Sequence, residues 1–472
     1  MSRKRIDRTE TGLKVHDINA KGMGVAKNEE GAVFFIKNVV PGDIVDVKVY
    51  KKRRGYFEAE PLKWIETSKY RTTPPCQHFG VCGGCKWQHL DYAAQLSFKE
   101  KGVLHNLKNI GKLDLQQVLP ILGVENPYYY RNKMEFSFSN KRWLTSEEIS
   151  SKEEIERNGL GFHKPNMWDK VVDVNHCHLQ ADPSNEIRNA IRTFAIKHKL
   201  EFYDTREQKG FLRTLMIRNT LAGEVMVLLQ FYKENVEKRE QLLNFLKERF
   251  HSITSLLYCI NDKGNDSLYD QDIVCYHGQD FITEHLGKLQ FKITAKSFYQ
   301  TNPKQAEALY AIGKEFANLN GNETVYDFYT GTGTIALSIA NLCAKVVGIE
   351  SVPEAIDAAK ENAIFNKIDN VSFEVGDMKD CFNDSFIKRH GKANVVITDP
   401  PRNGMHLDVV NQLLKLAPEK IVYISCNSAT QARDLELMKN DYSVLKSQAV
   451  DMFPQTHHVE NVVLLQRNEI DE

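Results

Sequence analysis

The sequence has no excess of charge of either sign, because its 472 residues contain 62 Lys and Arg and 62 Asp and Glu. This balance excludes a uniformly basic coat for nucleic acid but allows a local basic patch. The sequence also lacks any run of about 18 apolar residues, and its charged N-terminus is not followed by the apolar core of a signal peptide. We therefore expect a cytoplasmic protein that does not enter a membrane.

The composition is that of an ordinary globular chain, with 42% hydrophobic residues, 24 Phe and 18 Tyr, and the length predicts about three domains. Residues 1–62 alternate short β-branched runs with Gly and Pro turns, which predicts a small barrel of the oligonucleotide-binding type. This part carries 13 basic and 9 acidic residues, and four basic residues follow one another at positions 51–54. That run either contacts phosphates or is a solvated loop.

Residues 63–290 show mixed strand and helix patterns, which predict an α+β central domain. From residue 291 to 472 strands and helices alternate, beginning with the apolar strand that contains Val325. This alternation predicts an α/β fold with a doubly wound, Rossmann-like parallel sheet. No internal repeat is evident.

A glycine-containing loop, Tyr329-Thr-Gly331-Thr-Gly333, lies between the first predicted strand of that sheet and a helix. Glycines at this point let the backbone approach a ligand at the helix N-terminus. The next two strands end near acidic residues, Glu350 and Asp377, and the first of these is suited to ribose hydroxyls. The combination favours S-adenosylmethionine over a dinucleotide, the alternative being an ordinary tight turn.

Two further strand ends carry reactive groups. Asp399-Pro-Pro-Arg402 resembles the Asp-Pro-Pro-Tyr signature of amino-group methyltransferases, but Arg402 replaces the aromatic residue. After the next strand comes Cys426, and Glu460 begins the last apolar strand. A thiolate that adds to carbon-6 of a uracil makes carbon-5 nucleophilic, and a carboxylate can then remove the carbon-5 proton. Cys426 and Glu460 fit these roles, although a buried thiol and a surface charge are the plainer readings.

Cys76, Cys82 and Cys85 lie close together in the sequence, and Cys177 lies further along between two histidines. Four thiolates can hold a [4Fe-4S] cluster or a zinc ion, and spacing alone does not separate the two. The pair Gly83-Gly84 gives the backbone freedom to wrap a bulky group, which favours the cluster. His78, His89, His176 and His178 keep a mixed zinc site open.

The chain resembles the RNA uracil-5 methyltransferase family over nearly its whole length. The motifs that carry the resemblance are Ser425-Cys-Asn-Ser-Ala-Thr430, Asp399-Pro-Pro-Arg402, Asp451-Met-Phe-Pro454 and His458-Val-Glu460. The resemblance implies that Cys426 is the nucleophile and Glu460 the base. It also implies that Gln300, in Ser297-Phe-Tyr-Gln-Thr-Asn302, contacts the methyl donor, with Tyr329, Glu350 and Asp399 at other donor-site positions.

The first barrel resembles the family's RNA-binding TRAM domain, and Cys76, Cys82, Cys85 and Cys177 match the iron–sulfur site of its 23S ribosomal RNA branch. The bacterial transfer-RNA branch typically lacks both features, so the resemblance favours 23S ribosomal RNA. We also expect a monomer. Three alternatives remain: the same chemistry on transfer RNA, a nitrogen-methylating enzyme, and a non-catalytic RNA-binding or redox-sensing protein. Phe298, Tyr299 and Phe453 are candidates to stack on a flipped base.

Overall fold

The computed structural model describes residues 8–151 and 153–469. Its first part is a closed barrel of five strands, and the sequence predicts a barrel here. Alternate residues of the fourth strand, Val45, Val47 and Val49, are buried, because successive side chains of a strand point to opposite faces. The strands are β1 (Arg8–Ile18), β2 (Gly24–Lys27), β3 (Val33–Ile36), β4 (Ile44–Arg53) and β5 (Tyr56–Glu66).

The middle of the chain builds a seven-stranded sheet and a separate hairpin. Its elements are α1 (Tyr92–Asn109), β6 (Leu115–Leu122), β7 (Lys133–Ser139), α2 (Ser146–Ser150), β8 (Gly159–Lys164), β9 (Met167–Asp173), α3 (Ser184–Lys197), β10 (Leu212–Asn219), β11 (Val225–Phe231), α4 (Val236–Arg249), β12 (Ile253–Ile260), β13 (Val274–Gly278), β14 (Phe281–Leu286) and β15 (Leu289–Thr294). The sheet has the order β13-β12-β11-β10-β7-β8-β9, and β14 pairs with β15. Every residue of β11 is buried, which explains why all of them except Gln230 are apolar.

The last part is the predicted Rossmann-like α/β unit. Its elements are α5 (Pro303–Ala317), β16 (Thr324–Phe328), α6 (Thr334–Ile339), β17 (Lys345–Glu350), α7 (Pro353–Phe365), β18 (Val371–Val375), α8 (Met378–Cys381), α9 (Asp384–His390), β19 (Val395–Thr398), α10 (Leu407–Leu416), β20 (Lys420–Ser425), α11 (Ser428–Met438), β21 (Tyr442–Val450) and β22 (Glu460–Arg467). The sheet order is β18-β17-β16-β19-β20-β22-β21-β6. β16 to β20 are parallel, whereas β22 is antiparallel to both β20 and β21.

One segment of the middle region packs with this last sheet. β6 pairs in parallel with β21 at the sheet edge, and α1 packs against α11. The side chain of Asn106 on α1 donates to the Ser428 hydroxyl at 2.9 Å. This pairing joins residues more than 300 positions apart, so local sequence patterns do not reveal it. The predicted domain boundaries at residues 62 and 290 stay predictions.

No helix in the described ranges combines the length and the apolar character needed to span a bilayer.

Candidate functional site

The glycine loop after β16 turns through left-handed backbone conformations. Tyr329, Gly331 and Gly333 have φ angles of 62°, 57° and 81°. A Cβ atom on Gly333 would lie 3.1 Å from the Ala359 Cβ and 3.2 Å from the Phe373 ring, so packing as well as φ requires glycine there. The loop thus brings backbone amides close to the N-terminus of α6, the arrangement expected for a bound anion or ribose.

Asp327, inside β16, is a fully buried carboxylate beneath this loop. It accepts hydrogen bonds from the Thr330 hydroxyl at 2.5 Å and from the Ala336 amide at 3.0 Å. Burial raises the pKa of Asp327 to about 7. Sequence reasoning did not select Asp327 as a site residue, although its position near the end of a predicted strand was the available signal.

Glu350, at the end of β17, faces the glycine loop. Its Oε2 accepts from the Gly331 amide at 3.2 Å, and its Oε1 accepts from the Ser351 and Val352 amides at 2.7 and 3.0 Å. Asp377 is exposed and bonds locally to the Lys379 amide at the start of α8. The two acids therefore differ in their surroundings. Burial is the main cause of the raised pKa of the Tyr329 phenol, and both acids raise that pKa as well.

Asp399 follows β19, next to β16, and its amide donates to the Phe328 carbonyl at 3.3 Å. Close by, the buried Tyr310 on α5 has its hydroxyl 3.4 Å from the Thr334 hydroxyl. Burial raises the pKa of Tyr310, Asp399 raises it further, and hydrogen bonds with Thr334 and Gln300 lower it. Tyr310 therefore lies near Gln300 and Asp399 at this end of the sheet, and no local sequence signal reveals this position.

The register of the last strands brings Cys426 and Glu460 together. β20 and β22 are antiparallel and pair Ser425 with Asn461. Cys426 directly follows Ser425 and Glu460 directly precedes Asn461, so the two residues lie close together at the end of this pairing, where Glu460 raises the pKa of the Cys426 thiol. Glu460 is 5% exposed and Cys426 is half-buried.

The surroundings of Cys426, Glu460 and Asp399 favour the protonated forms of all three groups. Burial, together with Glu460 and Asp399, raises the pKa of Cys426 to about 11, although Arg402 lowers it. Burial also raises the pKa of Asp399 to about 7 and lifts that of Glu460 well above its usual value, where Asp399 again raises it and Arg402 lowers it. A thiol and two carboxyls with shifted pKa values in one crevice are typical of acid–base chemistry.

The three aromatic candidates for stacking lie in different surroundings. Phe298 is 66% exposed. Phe453 is half-buried, and the Arg131 guanidinium lies 5.9 Å from its ring centroid. Tyr299 is only 5% exposed and packs beside Phe291, with ring centroids 6.0 Å apart. The expectation that Tyr299 could stack on a base is therefore wrong, because its side chain is part of the core.

Cys76, Cys82, Cys85 and Cys177 line one cavity of about 350 Å³. Burial raises the pKa of all four thiols, that of Cys85 to about 12. Within residues 8–151 and 153–469, no group of three or more His, Cys, Asp or Glu side chains that could hold a metal ion is found. The cavity is about ten times larger than the roughly 30 Å³ that one water occupies in the liquid, so the thiols surround a space suited to a bulky group.

Three of the four histidines near these cysteines, His78, His176 and His178, line the same cavity, and each has a hydrogen-bond partner other than a thiol. The His78 ring accepts from the Asn175 amide at 3.1 Å. His176 and His178 share the Tyr129 hydroxyl at 3.0 and 3.1 Å, on the rim of the cavity. His89 is buried against the Phe79 ring and does not line the cavity. This arrangement favours an all-cysteine site over a mixed zinc site.

Comparison with known proteins agrees with this geometry. The family model for tRNA (Uracil-5-)-methyltransferase matches residues 205–468, and that of the TRAM domain matches residues 7–62. An uncharacterized RNA methyltransferase of Porphyromonas gingivalis is 50% identical over 97% of this chain and 100% of its own length. An uncharacterized RNA methyltransferase of Chlorobaculum tepidum is 37% identical over 97% of this chain and 96% of its own.

Among solved structures, the tRNA (uracil-54, C5)-methyltransferase of Pyrococcus abyssi in complex with S-adenosyl-L-homocysteine matches with a TM-score of 0.75 and 28% identity. The match covers 97% of this chain and 100% of the archaeal one. The family match spans more than half of the chain and includes the glycine loop, Asp399, Cys426 and Glu460. This chain therefore belongs to the tRNA (uracil-5-)-methyltransferase family and carries a TRAM domain before its catalytic part.

Proposed function

We propose that this S-adenosylmethionine-dependent RNA uracil-5 methyltransferase modifies a uridine of 23S ribosomal RNA through a covalent bond from Cys426 to the base. The adjacency of Cys426 and Glu460 across β20 and β22 carries the proposal. It puts a thiol and a proton acceptor at the carboxyl ends of the parallel strands, where the glycine loop and Asp399 also lie. Open α/β sheets bind ligands at this edge.

The reaction begins when the thiolate of Cys426 adds to carbon-6 and makes carbon-5 nucleophilic. Carbon-5 takes the methyl group from the donor sulfonium, which leaves as a neutral thioether. Glu460 then removes the carbon-5 proton, the C–H electrons form the carbon-5–carbon-6 double bond, and the sulfur of Cys426 leaves. The raised pKa of Glu460 suits this step, because a carboxylate with a high pKa is a stronger base.

The donor site of the proposal consists of Gly331, Gly333, Glu350, Asp377, Tyr329, Gln300 and Asp399. Glu350 is suited to accept from ribose hydroxyls, because amides of the glycine loop and of the next helix already orient its carboxylate. Gln300 and Asp399 both act on the pKa of the buried Tyr310 and therefore lie near it. The exposed Asp377 would complete the donor site only at its outer rim.

The same proposal gives the four cysteines an iron–sulfur cluster of the [4Fe-4S] type. The four thiols fit this group, since they line one cavity too large for one ion, which His78, His176, His178 and the carboxylate of Glu135 also line. When bound, the cluster would link Cys177 to the segment that runs from Cys76 to Cys85. Methyl transfer needs no redox step from the cluster. A zinc ion is the less favoured occupant. The cytoplasmic location and the monomeric state stay predictions.

Transfer RNA is the second candidate substrate, because the Pyrococcus abyssi neighbour, matched along the full length of both chains, is named as a tRNA enzyme. The overall architecture therefore does not separate the two RNAs. The preference for ribosomal RNA depends on the four-cysteine motif together with the TRAM barrel. Methylation of the two RNAs, each prepared from cells lacking the enzyme, would decide between them.

The mechanism is tested with RNA that carries 5-fluorouridine at the target, since fluorine cannot leave as a proton. The wild-type protein and the methyl donor should form an adduct that survives denaturation, and Cys426→Ala should form none. A nitrogen-methylating enzyme would instead keep its activity in Cys426→Ala. A non-catalytic protein would form no adduct with either ribosomal or transfer RNA and would methylate neither.

A further inference from the structure

Residues 451–459, the loop that leads into Glu460, are an irregular segment that is largely buried. Buried backbone groups must find hydrogen-bond partners. Here the partners come from distant parts of the chain: Lys86 and Trp87 donate their amides to the Gln455 carbonyl at 2.9 and 3.1 Å, and the Tyr130 hydroxyl donates to the Pro454 carbonyl at 3.0 Å. The 451–459 loop has no regular structure of its own, so these partners fix its path.

Helix α1 supplies the strongest of these anchors. Tyr92, Gln95 and Lys99 are three and four residues apart and therefore lie on one face of the helix. Gln95 and Gln455 exchange two hydrogen bonds of 3.0 Å each. The three side chains turn this face of α1 toward the loop rather than toward water.

Lys99 and Asp451 form an ion pair in which both side chains are 0% exposed. The Lys99 ammonium donates to Asp451 Oδ1 at 2.5 Å and to the Phe453 carbonyl at 3.1 Å. The same Oδ1 accepts from the Phe453 amide at 3.1 Å, and Oδ2 accepts from the Tyr92 hydroxyl at 3.0 Å. A buried ion pair held by several hydrogen bonds fixes geometry well, although it contributes little to stability compared with apolar packing.

We propose that Lys99 is a positioning residue for Glu460, acting through Asp451 and the Phe453 carbonyl. This inference depends on the proposed roles of Cys426 and Glu460. The pair holds the first turn of the loop, whose far end is Glu460, and leaves the carboxylate where it can reach the carbon-5 proton. Cys426 follows β20 and the glycine loop follows β16, and in the described part of the chain the side chains of Lys99 and Asp451 make no hydrogen bond to either, so we expect neither to depend on this anchor.

The step that Lys99 controls is therefore proton removal and release of the thiolate, after the methyl group has moved. The double variant Lys99→Met/Asp451→Leu removes both charges together and keeps apolar volume, so it avoids an unpaired buried charge. It is compared with wild type on ordinary uridine RNA and a donor labelled in the methyl group. Methylated adduct on denaturing gels, methylated free RNA and donor affinity are measured.

We expect donor affinity and the rate of adduct formation on 5-fluorouridine RNA to stay within about threefold of wild type, whereas turnover falls by about tenfold or more and the methylated adduct accumulates on ordinary RNA. Two controls on α1 separate positioning from general damage. Lys101→Met removes an exposed pair with Asp17, and Leu107→Ala weakens the core without touching the loop. Neither should accumulate adduct.

A parallel fall of adduct formation and turnover in the double variant, or an unchanged turnover, would overturn the role of Lys99. Accumulation of adduct in Leu107→Ala would do the same, because instability alone would then explain the effect. If wild type itself forms no adduct with 5-fluorouridine RNA of either kind, the proposed mechanism fails first and the positioning role with it.

Discussion

Cys426 and Cys85 both carry thiols whose pKa burial raises, to about 11 and about 12. Around Cys426 the other ionisable groups are Glu460, Asp399 and Arg402, and the two carboxyls among them can exchange protons with a substrate. Around Cys85 the other groups are chiefly thiols, which can only share a soft cation or a cluster. The neighbours rather than the thiol itself therefore decide whether a buried cysteine is suited to nucleophilic attack or to ligation.

The largest expected effect follows from removing the lone thiol. Cys426→Ala should lower turnover by about 10⁴-fold or more, because no other group in the crevice can add to carbon-6. Since Cys426 is half-buried, the free energy of unfolding should change by less than about 1 kcal/mol. Methyl incorporation and urea denaturation measure the two effects. Turnover within tenfold of wild type would remove Cys426 from the mechanism.

The next effect concerns the carboxylate beside that thiol. Glu460→Gln keeps the shape of the side chain but cannot take a proton, so turnover should fall by about 10²- to 10⁴-fold. The covalent methylated adduct should accumulate on ordinary RNA, as seen on denaturing gels with labelled donor. Asp399→Asn is the comparison, since loss of donor affinity without adduct is expected there. Rapid turnover in Glu460→Gln would contradict the assignment.

Replacing a cysteine of the cavity should affect bound iron and stability, whereas replacing Cys426 should affect turnover with little change in stability. Cys85→Ala should remove the absorbance and the bound iron of anaerobically purified protein and lower the free energy of unfolding by at least about 2 kcal/mol, because ligand binding couples to folding. Cys259→Ala provides the matched control, since this thiol is buried outside both sites and should cost about 1 kcal/mol without loss of iron. Equal iron content in the two variants would contradict the cluster.

The smallest effect concerns the protonation of Cys426. With a pKa of about 11, only about one thiol in 1,000 is ionised at pH 8, so alkylation should speed up about tenfold per pH unit below pH 11. The positive sulfonium of the methyl donor favours the thiolate and should lower that pKa, whereas S-adenosylhomocysteine should not. Peptide-resolved alkylation with iodoacetamide measures this, with the exposed Cys275 as internal reference. Equal rates with both compounds would show that the sulfonium does not act on Cys426.

Local patterns were sufficient for the parts of the fold that local contacts build. The barrel and the parallel strands β16 to β20 follow from β-branched runs, turn residues and strand–helix alternation. The antiparallel β22 and the distant β6 could not be predicted in the same way, because their partners are chosen by the edges that the rest of the sheet leaves open. Tyr299 was misjudged for a related reason, since a surface loop and a core-facing turn look alike in sequence.

For the candidate site, the reacting groups could be predicted from strand ends and from a family resemblance. The residues that pack against these groups or position them could not. Cys426 and Glu460 stand out as motif residues, whereas Tyr310 and Lys99 occupy helices whose patterns give no sign of what they face. Asp451 is part of a recognised motif, yet its partner lies 352 positions earlier in the chain. Contacts over such distances depend on the assembled fold.

The position of β6 at the edge of the last sheet also affects how the chain can be divided. A fragment that begins at residue 291 would lack β6, and β21 would then expose its unpaired backbone groups along a strand of 9 residues. Open edges of this kind pair with other molecules and lead to aggregation. The same cut would remove α1 and with it the anchors of the loop before Glu460. The catalytic part is therefore not an independent module, and exchanging it between relatives would require that residues 92–122 move with it.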